Sequence, residues 1–331
     1  MTTKDDAGTG VPNDAGGERA SQDAGGRAAP DDGRGGETRS GYVAIVGRPN
    51  VGKSTLLNAL VGEKISIVTP KPHTTRHRIL GILNRNGCQA VFVDTPGHAA
   101  RTQRVMHRLM ARAIHQAVED CDLILLVVDA RGLTDEDEKL IEMLRPRAER
   151  TLLVVNKIDM LKPRSKLLPL LAELGKQYPF AAFVPISARR RENLDGLLGE
   201  LFSRLPPGPP LFPPEMKTDR DLAFRSAEIV REKLMNALHQ EVPYGLGVEI
   251  EHLSKTEDGR WLVHALVWLE RESHKPIVIG KGGEMLKQVG REARLELCEL
   301  LGGRVHLEIW VKVREHWSDS ERELKRLGFD V

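Results

Sequence analysis

From residue 42 to residue 186 the chain repeats one pattern. A short continuous apolar run gives way to a longer segment in which apolar residues recur every three or four positions. The runs fall at residues 42–46, 90–93, 123–128, 152–155 and 183–186, with helical segments between most of them, as at 55–61, 106–118 and 136–144. Strands that are apolar on both faces and separated by helices predict a mostly parallel sheet covered on both sides. One pair departs from this. Residues 79–84 and 89–94 flank Arg85-Asn86-Gly87, and an Asn-Gly turn predicts a hairpin that adds one antiparallel strand.

The α/β pattern stops near Leu205. Residues 206–215 read PPGPPLFPPE, a proline density that excludes helix or central strand and predicts a semi-rigid extended linker. A second pattern follows, with a helix at 223–240, strands at 247–253 and 261–269, a glycine loop at 278–283, a helix at 285–301 and a strand at 305–313. In that last strand Val305, Leu307, Ile309, Val311 and Val313 share one face, and His306, Glu308, Trp310 and Lys312 the other. The chain of 331 residues has room for two cores. The expected organisation is a tail at 1–40, an α/β domain at 41–205, a linker at 206–222 and an α+β domain at 223–331.

Charge adds a restriction. Residues 1–40 carry 5 basic and 8 acidic side chains, residues 41–215 carry 25 and 18, and residues 216–331 carry 19 and 21. The last domain therefore cannot bind a polyanion by bulk charge and needs a local device. The tail is rich in Gly, Ala and Asp and has almost no large apolar side chain, so it is expected to be disordered. It lacks the apolar stretch of a secretory signal and is too acidic for a transit peptide. The run at 123–128 is far too short to span a bilayer. Cys88, Cys121 and Cys298 are odd in number and widely separated, which argues for a reducing compartment and against a disulfide framework or metal cluster. The expectation is a cytoplasmic protein.

Two glycine loops carry the chemistry. Gly47-Arg48-Pro49-Asn50-Val51-Gly52-Lys53-Ser54 follows a strand and precedes the helix opened by Thr55. It fits G-x-x-x-x-G-K-[ST], whose backbone N–H groups and helix N-terminus face phosphates while Lys53 reaches the outer phosphates and Ser54 ligates Mg²⁺. Asn156-Lys157-Ile158-Asp159 ends another strand, at the edge where open α/β sheets bind ligands. A carboxylate at Asp159 accepts from both the ring N–H and the exocyclic amine of guanine. Adenine offers no such pair, so GTP is favoured over ATP. Ser187 and Ala188 would present N–H groups to the guanine oxygen, with Arg189 beside them. Asp94-Thr95-Pro96-Gly97 ends a third strand; Asp94 would hold Mg²⁺ through water and the Gly97 N–H would meet the terminal phosphate. Of Thr74 and Thr75 in the polar stretch 71–78, Thr75 is preferred as the hydroxyl on Mg²⁺ that orders only with triphosphate bound.

With these five motifs in order (Gly47–Ser54, TTR at 74–76, DTPG, NKID, SAR at 187–189), residues 41–331 resemble the Era family of GTPases. The resemblance implies a P-loop GTPase domain followed by a type II KH domain. In the wider family the water-orienting glutamine after DTPG is replaced by a hydrophobic residue; here His98 stands there and departs from the pattern. The resemblance also suggests that Asn50 helps hold K⁺, the alternative being that it shapes the turn before the helix.

In the second domain Gly280-Lys281-Gly282-Gly283 would bring backbone close to a sugar-phosphate chain at a helix N-terminus. Val278 and Ile279 would floor the groove, and Lys281 and Lys287 would add charge. The element order resembles the KH domain that the Era family carries at this end. The family resemblance implies a Mg²⁺-dependent GTPase that exchanges GTP and GDP, binds the 3′ end of 16S ribosomal RNA and acts on the assembling 30S subunit. It also suggests a monomer with peripheral association at the inner membrane. Two other readings stay open at this point: a KH RNA-binding protein on a static GTPase-fold scaffold, and a GTPase of tRNA modification or large-subunit assembly.

Overall fold

The computed structural model describes residues 38–97, 105–240 and 242–329. The expected tail lies outside them apart from its last residues, and those are already in the fold. Strand β1 runs Arg39–Val46, begun by polar residues that the apolar pattern does not register. Arg39 lies opposite Cys88 in a parallel pairing, and Ser40 Oγ donates to the Pro209 carbonyl at 2.6 Å.

The first sheet is built from β1, β2 (Ile79–Arg85), β3 (Cys88–Asp94), β4 (Leu123–Asp129), β5 (Thr151–Asn156) and β6 (Ala182–Pro185), in the order β2-β3-β1-β4-β5-β6. Every pairing is parallel except β2–β3, which Asn86 and Gly87 join with φ of 53° and 75°. Those two left-handed residues make the primed turn that suits a twisted hairpin. Helices α1 (Lys53–Val61), α2 (Val105–Asp120), α3 (Asp135–Leu144), α4 (Leu167–Gln177) and α5 (Leu194–Phe202) cover the sheet. One apolar cluster lies under α1 and α5, the other under α2, α3 and α4. Strand order reverses between β3 and β4 on either side of β1, and the crevice at that switch point is where such sheets take ligands.

The proline-rich segment is extended, as expected, but it is no free spacer. It is strapped along the first sheet. Gln89 accepts from the N–H groups of Leu211 and Phe212 at 2.6 and 2.9 Å, Asn84 donates to Pro214 O at 3.0 Å, and Ile82 N donates to Lys217 O at 2.9 Å. Prolines lack donors, but their carbonyls and the intervening N–H groups serve the otherwise unpaired edge of β2.

Beyond the strap come α6 (Leu222–Ala237), β7 (Leu246–Lys255), β8 (Trp261–Leu269), α7 (Lys275–Ile279), α8 (Glu284–Leu301), β9 (Val305–Val313) and α9 (Glu321–Arg326). The second sheet has the order β7-β8-β9, with β7–β8 antiparallel and β8–β9 parallel. α6 and α8 pack on one face. α6 stops three residues short of the expected 240: Leu238 is extended at ψ 158° and Gln240 left-handed at φ 56°. The carbonyls of Met235 and Leu238, freed at this helix end, accept from Lys71 Nζ.

Residues 37–331 form one compact unit. Met106 and Met110 of α2 are buried against Leu266 and Trp268 on the other face of the second sheet, together with Trp317, Leu324 and Phe329. Glu63 and Lys64 pair with Arg225 and Glu232 at 2.6 Å. A buried side chain of methionine size contributes about 2 kcal/mol, against about 0–1 kcal/mol for a rim ion pair, so the apolar patch dominates this contact.

Candidate functional site: a nucleotide cleft and a GxxG loop

The loop between β1 and α1 is shaped by its neighbours. A Cβ at Gly47 would come within 2.5 Å of the Val127 carbonyl, and one at Gly52 within 2.5 Å of Asn156 Nδ2. Gly52 also needs its φ of 102°, and Asn50 is left-handed at 64°. α1 then starts at Lys53, its first-turn N–H groups without helical partners and aimed at the loop. Lys53 Nζ donates to Gly47 O at 2.9 Å and Arg48 O at 3.1 Å. Burial pushes its amine down to about 8, against the pull of Asp94. Two expected ligands contribute backbone only. The Arg48 guanidinium turns to Asp137 of α3 at 2.9 Å, and Val51 is wholly buried in the core.

At the mouth of the loop four oxygen-bearing side chains converge. Ser54 Oγ is 2.7 Å from Thr75 Oγ1 and donates to Asp94 Oδ2 at 2.8 Å, and Ser66 Oγ donates to the same Oδ2 at 2.9 Å. Asp94 is fully buried and its Oδ1 has no partner among the described residues. Desolvation pushes its carboxyl upward, so a cation beside it would relieve the cost of holding the charged form. Hard oxygen donors at these separations match the edge of a Mg²⁺ octahedron, about 3 Å for bonds of 2.0–2.1 Å. The residues fit that ion. Of the two threonines, Thr75 stands beside Ser54, whereas Thr74 Oγ1 binds Thr69 Oγ1 at 2.6 Å and Lys71 O at 2.7 Å. Thr95 is also structural in its side chain, which donates to Ile45 O at 2.8 Å. Gly97 lies against the loop: a Cβ there would be 3.0 Å from Pro49. His98 lies outside the described residues.

Asn156 staples the base side. Its Nδ2 donates to Val51 O at 2.8 Å, and its Oδ1 accepts from the N–H groups of Lys157 at 2.8 Å and Ala188 at 3.0 Å. Asp159 is oriented by Ser187 Oγ at 2.7 Å, with Arg190 Nε at 3.7 Å. The N–H groups of Ser187 and Ala188, expected to meet guanine, are engaged within the fold. Ser187 N donates to Glu192 O at 3.2 Å and Ala188 N is spent on Asn156. Lys157 is left-handed at φ 67° and its ammonium pairs with Asp129 at 2.9 Å. A cleft of 460 Å³ runs between these groups, with Asn50, Lys53, Ser54, Thr75, Lys157 and Arg189 on its walls, large enough for a nucleotide.

The stretch after α1 makes contacts that sequence reasoning missed. Arg76 is buried, and its guanidinium donates to Leu246 O at 2.6 Å, Pro243 O at 3.0 Å and Tyr244 O at 3.1 Å. His77 Nδ1–H donates to Gly328 O at 3.2 Å. The His73 ring lies 5.5 Å from His107 of α2 and 6.4 Å from Tyr244. Burial and His107 push its imidazole down to about 4. Five cationic or titratable residues in the eight from 71 to 78 were the available signal, legible only as a polar loop.

In the second sheet's domain Gly280 joins α7 to the Gly283 cap of α8, with φ of 76°, 62° and 81° at Gly280, Gly282 and Gly283. A Cβ at Gly280 would meet Met285 Cβ at 2.6 Å, whereas Gly282 and Gly283 face open space. Lys281 and Lys287 are exposed beside them. Val278 is a correction. It is wholly buried in the core, so its side chain cannot floor a groove; Ile277, half exposed, and Ile279 are the apolar residues at that surface.

Comparison with known proteins follows this division. A family model described as 50S ribosome-binding GTPase matches residues 42–157, and a KH-domain model matches residues 241–318. GTPase Era of Bordetella avium is 48% identical over 292 residues, 88% of this chain and 98% of that protein. GTPase Era of Stenotrophomonas maltophilia is 48% identical over 291 residues, 88% and 97% of the two chains. The crystal structure of a variant of Aquifex aeolicus Era bound to GDP·AlF4⁻ aligns with a TM-score of 0.85 at 41% identity, covering 89% of this chain and 100% of that one. A structure of Era with MgGDPNP and nucleotides 1506–1542 of 16S ribosomal RNA aligns with a TM-score of 0.85 at 40% identity and the same coverage.

Proposed function

The chain belongs to the Era family of GTPases, and from that premise we propose that it is a GTP-hydrolysing switch that binds 16S ribosomal RNA near its 3′ end and assists assembly of the 30S subunit. One observation carries the reading. A Mg²⁺-type oxygen cluster and a GxxG loop stand in one compact unit, on a fold whose solved relative holds MgGDPNP and that RNA together.

In this reading residues 39–205 bind and hydrolyse GTP, 206–221 strap the two parts together, and the remainder binds RNA. Lys53 and the first turn of α1 grip the β- and γ-phosphates. Bound Mg²⁺ neutralises charge developing on those phosphates during transfer to water. Ser54 and Thr75 ligate it directly, and Asp94 holds its water. Asp159, fixed by Ser187, selects guanine. The Gly97 N–H meets the γ-phosphate, and the sequence has His98 rather than glutamine directly after Gly97 to orient water, so unassisted turnover is slow. Asn50 is assigned to K⁺: its Nδ2 is committed to Pro70 O at 3.0 Å, which leaves Oδ1 as a ligand. Turnover should then rise when K⁺ replaces Na⁺, and Asn50→Ala should abolish the difference; equal rates in both salts would remove the ion.

The scaffold reading meets an intact Lys53, Ser54, Thr75 and Asp94 geometry, for which a static fold has no use. The large-subunit reading rests on a model that matches only residues 42–157, the part shared by many GTPases, while the KH part matches separately. Peripheral contact with the inner membrane rests on family resemblance alone; no described helix is long and apolar enough to cross a membrane.

The test is RNA binding by the loop. Lys281→Asp with Gly282→Asp puts carboxylates where phosphates pass and leaves the backbone at Gly280 and Gly283 alone. Affinity for a fluorescent oligonucleotide of the 16S 3′ end should fall about tenfold or more, with GTP affinity kept. Unchanged RNA affinity would move the RNA site elsewhere.

A further inference from the structure

Thr75 is gripped from outside its own domain. Its hydroxyl faces Ser54 at 2.7 Å, and the two residues beside it face the other way, into the RNA-binding part. The Thr74 carbonyl accepts from Arg231 of α6 at 2.5 Å. The Arg76 guanidinium is held by three carbonyls at the entry to β7. Arg231 is itself fixed: Glu228 accepts from its Nε at 2.6 Å and from its terminal nitrogen at 2.7 Å, and Met235 Sδ lies at 3.1 Å. Arg231, Glu228 and Arg76 are 2%, 7% and 3% exposed.

A buried arginine is costly unless something needs its position. Any apolar helix face would pack α6 against this stretch. A planar fork aimed at one carbonyl does something different, since it sets where the next residue's side chain points. We propose that Arg231, braced by Glu228, is a positioning residue for the GTPase reaction: from the RNA-binding domain it fixes the Thr74–Thr75 peptide so that the Thr75 hydroxyl meets Ser54 and Asp94 where Mg²⁺ and the γ-phosphate bind. The GTPase site is then complete only with α6 docked. Movement of α6 on RNA binding reaches the nucleotide through one carbonyl. This inference rests on the GTPase reading above.

Arg231→Met alone would leave Glu228 buried and unpaired, so the double variant Arg231→Met/Glu228→Gln is the cleaner probe, with Arg231→Lys as the conservative partner. Thr75 serves the triphosphate state, so the double variant should lose affinity for Mg²⁺ with a non-hydrolysable GTP analogue by about tenfold, the scale of a hydrogen bond to a charged group, and keep its affinity for GDP. Arg231→Lys should recover part of the loss. Hydrogen exchange in the nucleotide-free double variant should quicken across residues 69–78 and stay as in wild type across α8. Equal losses for analogue and GDP, or none for either, would overturn the assignment and leave Arg231 a packing residue. Failure of the wild-type protein to bind GTP at all would instead overturn the GTPase reading, so the two failures are distinguishable.

Discussion

Lys53 shows how a single side chain links burial to ligand chemistry. Burial lowers its amine to about 8, so the nucleotide-free protein holds a neutral amine above that pH. A triphosphate needs the ammonium. Binding above pH 8 must therefore take up a proton, and GTP affinity should be flat from neutral pH to about 8 and then fall by up to about tenfold per unit. The stability of the nucleotide-free fold runs the other way. A lysine whose folded pKa lies below 10.5 costs about 3 kcal/mol below pH 8, and that cost fades between 8 and 10.5. Titration of GTP affinity against pH checks the first statement; a flat profile to pH 10 would mean that Lys53 keeps its proton in the free protein. The nucleotide residues were legible in sequence because each serves a demand that few residue types meet, at a spacing set by one loop. What was not legible is which atoms are free. Only the fold shows that Arg48 turns to Asp137 and that the Ala188 N–H is spent on Asn156.

Among the elements, continuous apolar or alternating strands announced themselves, and the spans of β8 and β9 coincide with the pattern at 261–269 and 305–313. α4 was not singled out in the apolar pattern; its Pro169 sits in the first turn, where the missing N–H costs nothing. α9 offers one buried residue, Leu324, and so no period to detect. The strap was read as a spacer because its partners, Asn84 and Gln89, lie more than a hundred residues back. The stretch at 71–78 shares that problem, and it carries a testable group. His77 packs at 5.0 Å from Phe224 and 4.3 Å from Phe329, and burial lowers its imidazole to about 3 in the field of Glu228, Arg231, Arg220 and Arg76. A histidine held neutral in the fold contributes stability that is present above its unfolded value near 6.5 and is lost as pH falls toward 3. The melting midpoint should drop between pH 6.5 and 4, and His77→Gln should flatten part of that slope. An acid slope identical in the two proteins would clear His77.

Across the whole molecule, both segments proposed to answer to the γ-phosphate adjoin contacts with the RNA-binding part. The stretch with Thr75 lies under α6 and β7, and α2, which follows the DTPG segment, buries Met106 and Met110 on the second sheet. Two ligands that both act on such a contact must be coupled, and the coupling must be reciprocal. If GTP raises affinity for RNA by some factor, RNA raises affinity for GTP by the same factor. Fluorescence titration of a 16S 3′-end oligonucleotide against protein loaded with a non-hydrolysable GTP analogue or with GDP, and of each nucleotide with and without the oligonucleotide, closes that cycle. The account predicts tighter RNA binding with the GTP analogue than with GDP, by about fivefold or more, and an equal gain for the analogue when RNA is present. RNA affinity indifferent to nucleotide would contradict it, leaving a GTPase and an RNA clamp that share a chain without acting on each other.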